Sequence, residues 1–83
     1  MWVQQKAYKA VGAVLAAARA RSGLTQRQLA DRLSKPQSFV SNYESGQRRI
    51  DVLELIKITV ALGDDPRKVF AQIASAAKHQ TSR

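Results

Sequence analysis

Five segments of this chain carry apolar residues at helical steps of three and four, and no segment gives a convincing strand signal. In the first, from about Gln4 to Arg21, the residues Tyr8, Val11, Leu15 and Ala18 form the inward stripe of an amphipathic helix, and Gly23 suits the left-handed cap that ends it. Thr25-Gln26-Arg27-Gln28 has capping-box spacing: the threonine hydroxyl accepts from the backbone N–H three residues on, while Gln28 reaches back. Helix 2 therefore runs from Gln26 to about Leu33 and buries Leu29, Ala30 and Leu33. Ser34-Lys35 is a short break, and Pro36 suits a first helical turn, where its missing N–H costs nothing. Helix 3 follows to about Glu44, with Val40 and Tyr43 facing inward and Gly46 as the stop. Helix 4 starts at the capping-box-like Asp51-Val52-Leu53-Glu54, keeps helical spacing through Val52, Leu55, Ile56, Thr59, Val60 and Leu62, and ends at Gly63. Asp64-Asp65-Pro66 supplies an acidic cap and a first-turn proline for helix 5, whose apolar residues are Val69, Phe70, Ile73 and Ala77. Residues 78–83 read as a frayed, flexible tail. The pattern predicts an all-α domain.

Composition makes that domain small and basic. The 83 residues carry 14 Lys and Arg against 6 Asp and Glu, a formal charge of +8. A chain of this length buries only about 60% of the surface its unfolded form exposes, which allows one modest core. Of the 45% hydrophobic residues, 13 are alanine, so the core is thin and a dimer interface would supplement it. The absence of cysteine removes a disulfide framework and zinc-finger readings, and fits a reducing compartment. Charge is uneven, +7 over residues 1–50 and +1 over residues 51–83, so a partner drawn by charge should meet the first half. Nucleic acid is the commonest such partner and an anionic membrane surface the next, although many small soluble domains are simply basic.

The N-terminal stretch also imitates an export signal, since Lys6 and Lys9 precede an Ala-rich apolar run. Gly12 interrupts that run, and Arg19 and Arg21 close it. Its helical periodicity fits a first structural helix better. No apolar run approaches the roughly 18 to 20 residues that span a bilayer.

Two short helices joined by a tight turn, inside a basic helical domain, are the arrangement of a helix-turn-helix DNA reader. Leu24-Thr25-Gln26-Arg27-Gln28-Leu29-Ala30-Asp31-Arg32-Leu33, followed by Gln37-Ser38-Phe39-Val40-Ser41-Asn42-Tyr43-Glu44-Ser45-Gly46, resembles the Cro/C1-type (XRE) family of regulators with lambda-repressor-like domains. That family shows a Thr/Ser-Gln-x-x-Leu-Ala start and an Ile/Val-Ser-x-x-Glu-x-Gly finish at this spacing, and its fourth-helix ending is present as Ala61-Leu62-Gly63. The resemblance covers residues 11–65. It divides the chain into an N-terminal extension over 1–10, the helix-turn-helix domain over 11–65, a C-terminal helix over 66–77 and the tail.

The resemblance implies a five-helix lambda-repressor-like fold, with helix 3 in the major groove of double-stranded DNA. Gln37, Ser38, Ser41 and Asn42 share one helix face, opposite Val40 and Tyr43. Gln and Asn present a donor and an acceptor side by side, which matches adenine N6/N7, and Ser serves several bases. Four polar residues are also what an ordinary solvated face looks like. In the family, the glutamine at the position of Gln26 binds a phosphate and buttresses the first readout residue, here Gln37. The family's backbone-gripping loop maps onto Ser45, Gln47, Arg48 and Arg49. Arg27 and Lys35 are further phosphate candidates, with solvated surface charge the alternative. Arg19 and Glu44 stand where family members carry a structural ion pair, and a DNA contact by Arg19 is compatible with that role.

Some positions depart from the family pattern. Lys35 replaces a small aliphatic residue and Pro36 a Ser/Thr cap, leaving Ser34 or nothing to cap helix 3. Phe39 can pack on the turn or touch a thymine methyl, and Trp2 can anchor on the core, join a dimer contact or stay in solvent. Because one helix reads too few base pairs for selectivity, a homodimer on a palindrome is expected, with its contact at Val69, Phe70 and Ile73 unless these pack internally. The fit is a cytoplasmic, nucleoid-associated bacterial regulator, a repressor or autoregulator, controlled by concentration, dimerisation or a partner. An antitoxin-like module that binds a toxin protein is the alternative, and a membrane-surface role for helix 1 a weaker one. His79 is the only histidine, no P-loop or GxGxxG is present, and neither an enzyme nor a cofactor or metal site is expected.

Overall fold

The computed structural model describes residues 5–81; Trp2, with the rest of residues 1–4, and residues 82–83 lie outside the described residues. Five helices follow one another: α1 (Gln5–Arg21), α2 (Gln26–Leu33), α3 (Gln37–Glu44), α4 (Val52–Leu62) and α5 (Pro66–Thr81). Among the described residues there is no strand.

Both expected capping boxes form. Gln28 N–H donates to Thr25 Oγ1 at 3.1 Å and Thr25 N–H to Gln28 Oε1 at 2.9 Å. At α4, Glu54 N–H donates to Asp51 Oδ1 at 2.7 Å and Asp51 N–H to Glu54 Oε1 at 3.0 Å. These bonds satisfy amides that a helix start otherwise leaves unpaired.

The start of α3 differs from expectation. Pro36 is the N-cap and not the first helical residue; its backbone is extended, at φ −70° and ψ 156°, and no side chain caps the helix. Ser34 is not available for that task because it ends α2 in a left-handed conformation, φ 56° and ψ 42°. Its amide donates to the Ala30 and Asp31 carbonyls. A non-glycine residue in that conformation carries a steric cost of roughly 1–2 kcal/mol. The tail also differs, since α5 continues through Thr81, beyond Lys78.

Leu15, Ala18, Leu29, Ala30, Phe39, Val40, Tyr43, Ile58, Leu62, Val69 and Ile73 make one core cluster. On α4 the buried residues are Ile58, Thr59 and Leu62, with Leu55 half-buried, while Val52, Ile56 and Val60 stand outside. The expected stripe therefore mixed two faces. This helix is apolar nearly all round, and both Leu55-Ile58-Thr59-Leu62 and Val52-Ile56-Val60 keep helical spacing. Thr59 is fully buried, and its hydroxyl donates to the Ile56 carbonyl at 3.0 Å.

On α5, Val69 and Ile73 are buried in the core and Phe70 is 55% exposed. The first two therefore cannot form the dimer contact expected of them. On α1, Ala7, Leu15 and Ala18 are buried and Tyr8 and Val11 only half-buried. Gly12 is also buried, and its place explains the interruption in the apolar run: a Cβ there would collide with the backbone carbonyls of Tyr43 and Glu44. The absent side chain lets α1 lie directly on the C-terminal end of α3.

Candidate nucleic-acid interface

Helix α3 is short and amphipathic. Phe39, Val40 and Tyr43 are buried, while Gln37, Ser38 and Asn42 are exposed and Ser41 is half-buried. The four expected base readers thus share the outward side. The Ser41 hydroxyl donates back to the Ser38 carbonyl at 3.3 Å and the Ser45 hydroxyl to the Asn42 carbonyl at 3.1 Å. Phe39 meets Tyr43 edge to face, with ring centres 5.4 Å apart, so it packs beneath the turn and does not present itself to a thymine methyl.

A polar chain runs from the interior to Gln37, the first of the expected readers. Arg19 Nε donates to Glu44 Oε2 at 2.7 Å and Arg19 Nη2 to Glu44 Oε1 at 3.1 Å, while Arg19 Nη1 donates to the Leu24 carbonyl at 2.8 Å. Gln26 Nε2 donates to Glu44 Oε1 at 2.9 Å, and Gln37 Nε2 donates to Gln26 Oε1 at 3.4 Å. The Arg19 and Glu44 side chains are 19% and 7% exposed, so this ion pair is largely shielded from water. The bond to Glu44 raises the Arg19 pKa above its ordinary value. Burial raises that of Tyr43, helped by the Glu44 charge; its hydroxyl is buried without a hydrogen-bond partner among the described residues.

The loop after α3 is tied to it through main-chain bonds. Gln47 N–H and Arg48 N–H both donate to the Asn42 carbonyl, at 2.9 and 3.2 Å. Gly46 turns at φ +85°, and a Cβ there would lie 2.9 Å from Lys9 Cα. The two arginines that follow have different surroundings. Arg48 donates from both terminal nitrogens to Glu54, at 3.1 and 2.9 Å, and lies over the Phe39 ring at 4.7 Å. Its charge is therefore partly offset by Glu54 within the chain. Arg49 lies over the Tyr8 ring at 5.2 Å, and among the described residues no carboxylate pairs with it. Glu54 is held below the usual carboxylate range by Arg48 first and the Asp51 amide second. Lys35 Nζ lies 5.6 Å from the Phe39 ring centre, and Arg27 is exposed on α2.

The Arg48–Glu54 pair had no signal in the sequence, because neither helical spacing nor capping links residues on either side of a loop. The clash at Gly12 could have been sought, since a glycine inside a helix costs about 1 kcal/mol relative to alanine and asks for a packing reason.

The profile of the helix-turn-helix family matches residues 15–67, most of the chain. The chain belongs to the Cro/C1-type (XRE) helix-turn-helix family. Among solved structures, this family member is similar to an XRE-family-like protein from Pseudomonas syringae, at 38% identity and a TM-score of 0.75, over 84% of this chain and 85% of that one. It is similar to the clp gene regulator ClgR from Corynebacterium glutamicum, at 28% identity and a TM-score of 0.79, over 89% and 79% of the two chains. A third likeness is to the restriction-modification controller protein C.AhdI from Aeromonas hydrophila, at 31% identity and a TM-score of 0.71, over 81% and 96%. No curated protein matches this chain. The XRE-type fold and family make it a DNA-binding module of the transcriptional-regulator type. Among the described residues, no helix is long and apolar enough to cross a membrane, and no group of three His, Cys, Asp or Glu could hold a metal ion.

Proposed function

We propose that this XRE-type chain is a homodimeric, sequence-specific regulator that places α3 in the major groove of a palindromic operator and represses transcription there, its own included. The observation that carries the reading is the chain Arg19–Glu44–Gln26–Gln37, which orients the first reader from a shielded ion pair. Such a side chain loses little freedom on meeting a base edge. Gln37, Ser38, Ser41 and Asn42 read bases, and Gln26, Ser45, Gln47 and Arg49 hold phosphates, with Arg27 and Lys35 at the margin. Arg48 shapes the loop through Phe39 and Glu54.

The two-fold contact belongs on the outward face of α4 with Phe70, not at Val69 and Ile73. Val52 is 74%, Val60 64% and Ile56 42% exposed. A groove of about 300 Å³, lined by Val52, Leu55, Ile56, Pro66, Arg67 and Phe70, joins α4 to α5. Contiguous apolar patches of more than a few hundred Å² mark interaction sites on small soluble proteins. A dimer also brings two reading helices to half-sites about 34 Å apart. The location that goes with this reading is the bacterial cytoplasm, at the nucleoid.

Selection of bound duplexes from a random pool, followed by gel shifts, tests the proposal. Gln37→Ala and Asn42→Ala should each relax preference at particular base pairs at a cost of about 1–3 kcal/mol. Arg49→Ala should weaken all duplexes alike. Failure to enrich any sequence overturns the reading. A small toxin that co-purifies one-to-one with a monomer of this chain would replace the two-fold contact by the antitoxin-like alternative.

A further inference from the structure

The N-terminal turns of α1 lie outside the residues matched by the family profile, which begins at residue 15, yet they adjoin the candidate interface. Lys9 packs its backbone against Gly46, at the turn leaving α3, as the 2.9 Å approach of a Cβ there to Lys9 Cα shows. The next residues of that loop, Gln47 and Arg48, bond to Asn42, so Lys9 sits one residue from the segment fixed to the reading helix. Arg49 also touches α1, its guanidinium 5.2 Å from the centre of the Tyr8 ring.

Lys6 is three residues before Lys9, hence on the same side of α1 and about 4.5 Å further along its axis. Both lysines are exposed, and among the described residues no carboxylate pairs with Lys6, Lys9 or Arg49. The sequence reinforces this, because no acidic residue occurs before Asp31 and the first turn of α1 carries none. Lys6, in the first turn of α1, opposes the helix dipole, an unfavourable placement that an anion relieves. Lys9, with Lys6 about one turn behind it, therefore extends the cationic surface of the α3 loop along α1, and Arg49 lies about 100° round the helix from Lys9, over Tyr8. A polyanion lying along that loop would meet this surface, whereas a flat lipid surface would have to replace the duplex there.

We propose that Lys6 and Lys9, with Arg49 seated on Tyr8, form a second backbone clamp that grips the phosphate strand flanking the half-site read by α3. This rests on the DNA-binding reading above. The clamp adds affinity and footprint length without adding sequence preference.

The test compares the full chain with Lys6→Gln/Lys9→Gln by fluorescence anisotropy on a selected operator duplex, from 50 to 200 mM salt. Loss of two phosphate contacts should make the slope of log affinity against log salt shallower by about 1.8 and leave the operator-to-mutant-operator ratio unchanged. Trimming the flanking base pairs should weaken the parent chain and leave the double variant unaffected. Arg21→Gln/Lys68→Gln removes the same charge elsewhere and should leave the slope unchanged. An unchanged slope in Lys6→Gln/Lys9→Gln, or an equal change in the control, overturns the clamp while the DNA-binding reading stands. Absence of binding to any selected duplex overturns both. Flotation with phosphatidylcholine–phosphatidylserine vesicles that needs the two lysines, beside an unchanged DNA slope, assigns them to a lipid surface and also overturns the clamp. Circular dichroism melts confirm that the exposed substitutions leave the fold intact.

Discussion

The polar side of α3, proposed to read bases, and the outward side of α4 both face out, and they are built in opposite ways. At α3, polar side chains are chained to one another and to a shielded ion pair, so Gln37 is held from below by Gln26 and Glu44. At α4, Val52, Ile56 and Val60 are apolar and lie outside the core cluster. The first surface is organised by its own hydrogen bonds; the second is shaped only by helical spacing, and in the proposed dimer a second copy covers it. The contrast separates residues whose loss disturbs the fold from residues whose loss disturbs assembly.

Removing Glu44 should break the first surface most. Glu44→Ala leaves Arg19 largely buried without its partner and releases Gln26, at an expected cost of about 3 kcal/mol in urea unfolding. The same variant should lose discrimination at the base that Gln37 is proposed to read. Gly12→Ala attacks the support beneath that surface, since the new Cβ would strike the Tyr43 and Glu44 carbonyls; about 2 kcal/mol should be lost despite the better helix propensity of alanine. Ser34→Gly should act in the other direction and stabilise by up to about 1 kcal/mol, because glycine relieves the left-handed backbone between α2 and α3.

Smaller effects are expected where the loop meets α4. The folded Glu54 has its pKa lowered by Arg48 and the Asp51 amide. Its contribution is therefore complete above the unfolded carboxylate value and is lost as pH falls through the lower folded one. Glu54→Gln keeps a capping side chain and should lower the neutral-pH melting temperature slightly, an exposed pair being worth less than about 1 kcal/mol. That difference from the parent chain should vanish in acid. The outward face itself should matter least to the fold. Val52→Glu/Val60→Glu should change monomer stability by no more than about 0.5 kcal/mol, yet sedimentation equilibrium should show the proposed dimer lost. If instead Val52→Glu/Val60→Glu unfolds the chain, the division between the two surfaces is wrong.

Much of this architecture was legible in the residues. Thr25 with Gln28 and Asp51 with Glu54 are local devices, so their helix starts were visible without tertiary knowledge. The Arg19–Glu44 pair came through family likeness, as periodicity says nothing of residues 25 positions apart. Ile58 was missed because an all-round apolar helix offers two stripes of equal spacing. Pro36 lies one position before the helix that its fixed φ predicts, since that φ suits both an extended N-cap and a first helical turn. Arg48 and Arg49 are adjacent and chemically identical, and only the positions of Phe39, Glu54 and Tyr8 distinguish them.

The Asn42 carbonyl holds the amides of Gln47 and Arg48, while the side chain of the same residue faces outward. Main-chain bonds are indifferent to what the side chain is. On the proposed reading, drift at position 42 would therefore re-address the protein to a new operator while its loop kept its place on the sugar–phosphate rail, so that a lineage carrying this domain would explore new sites one substitution at a time.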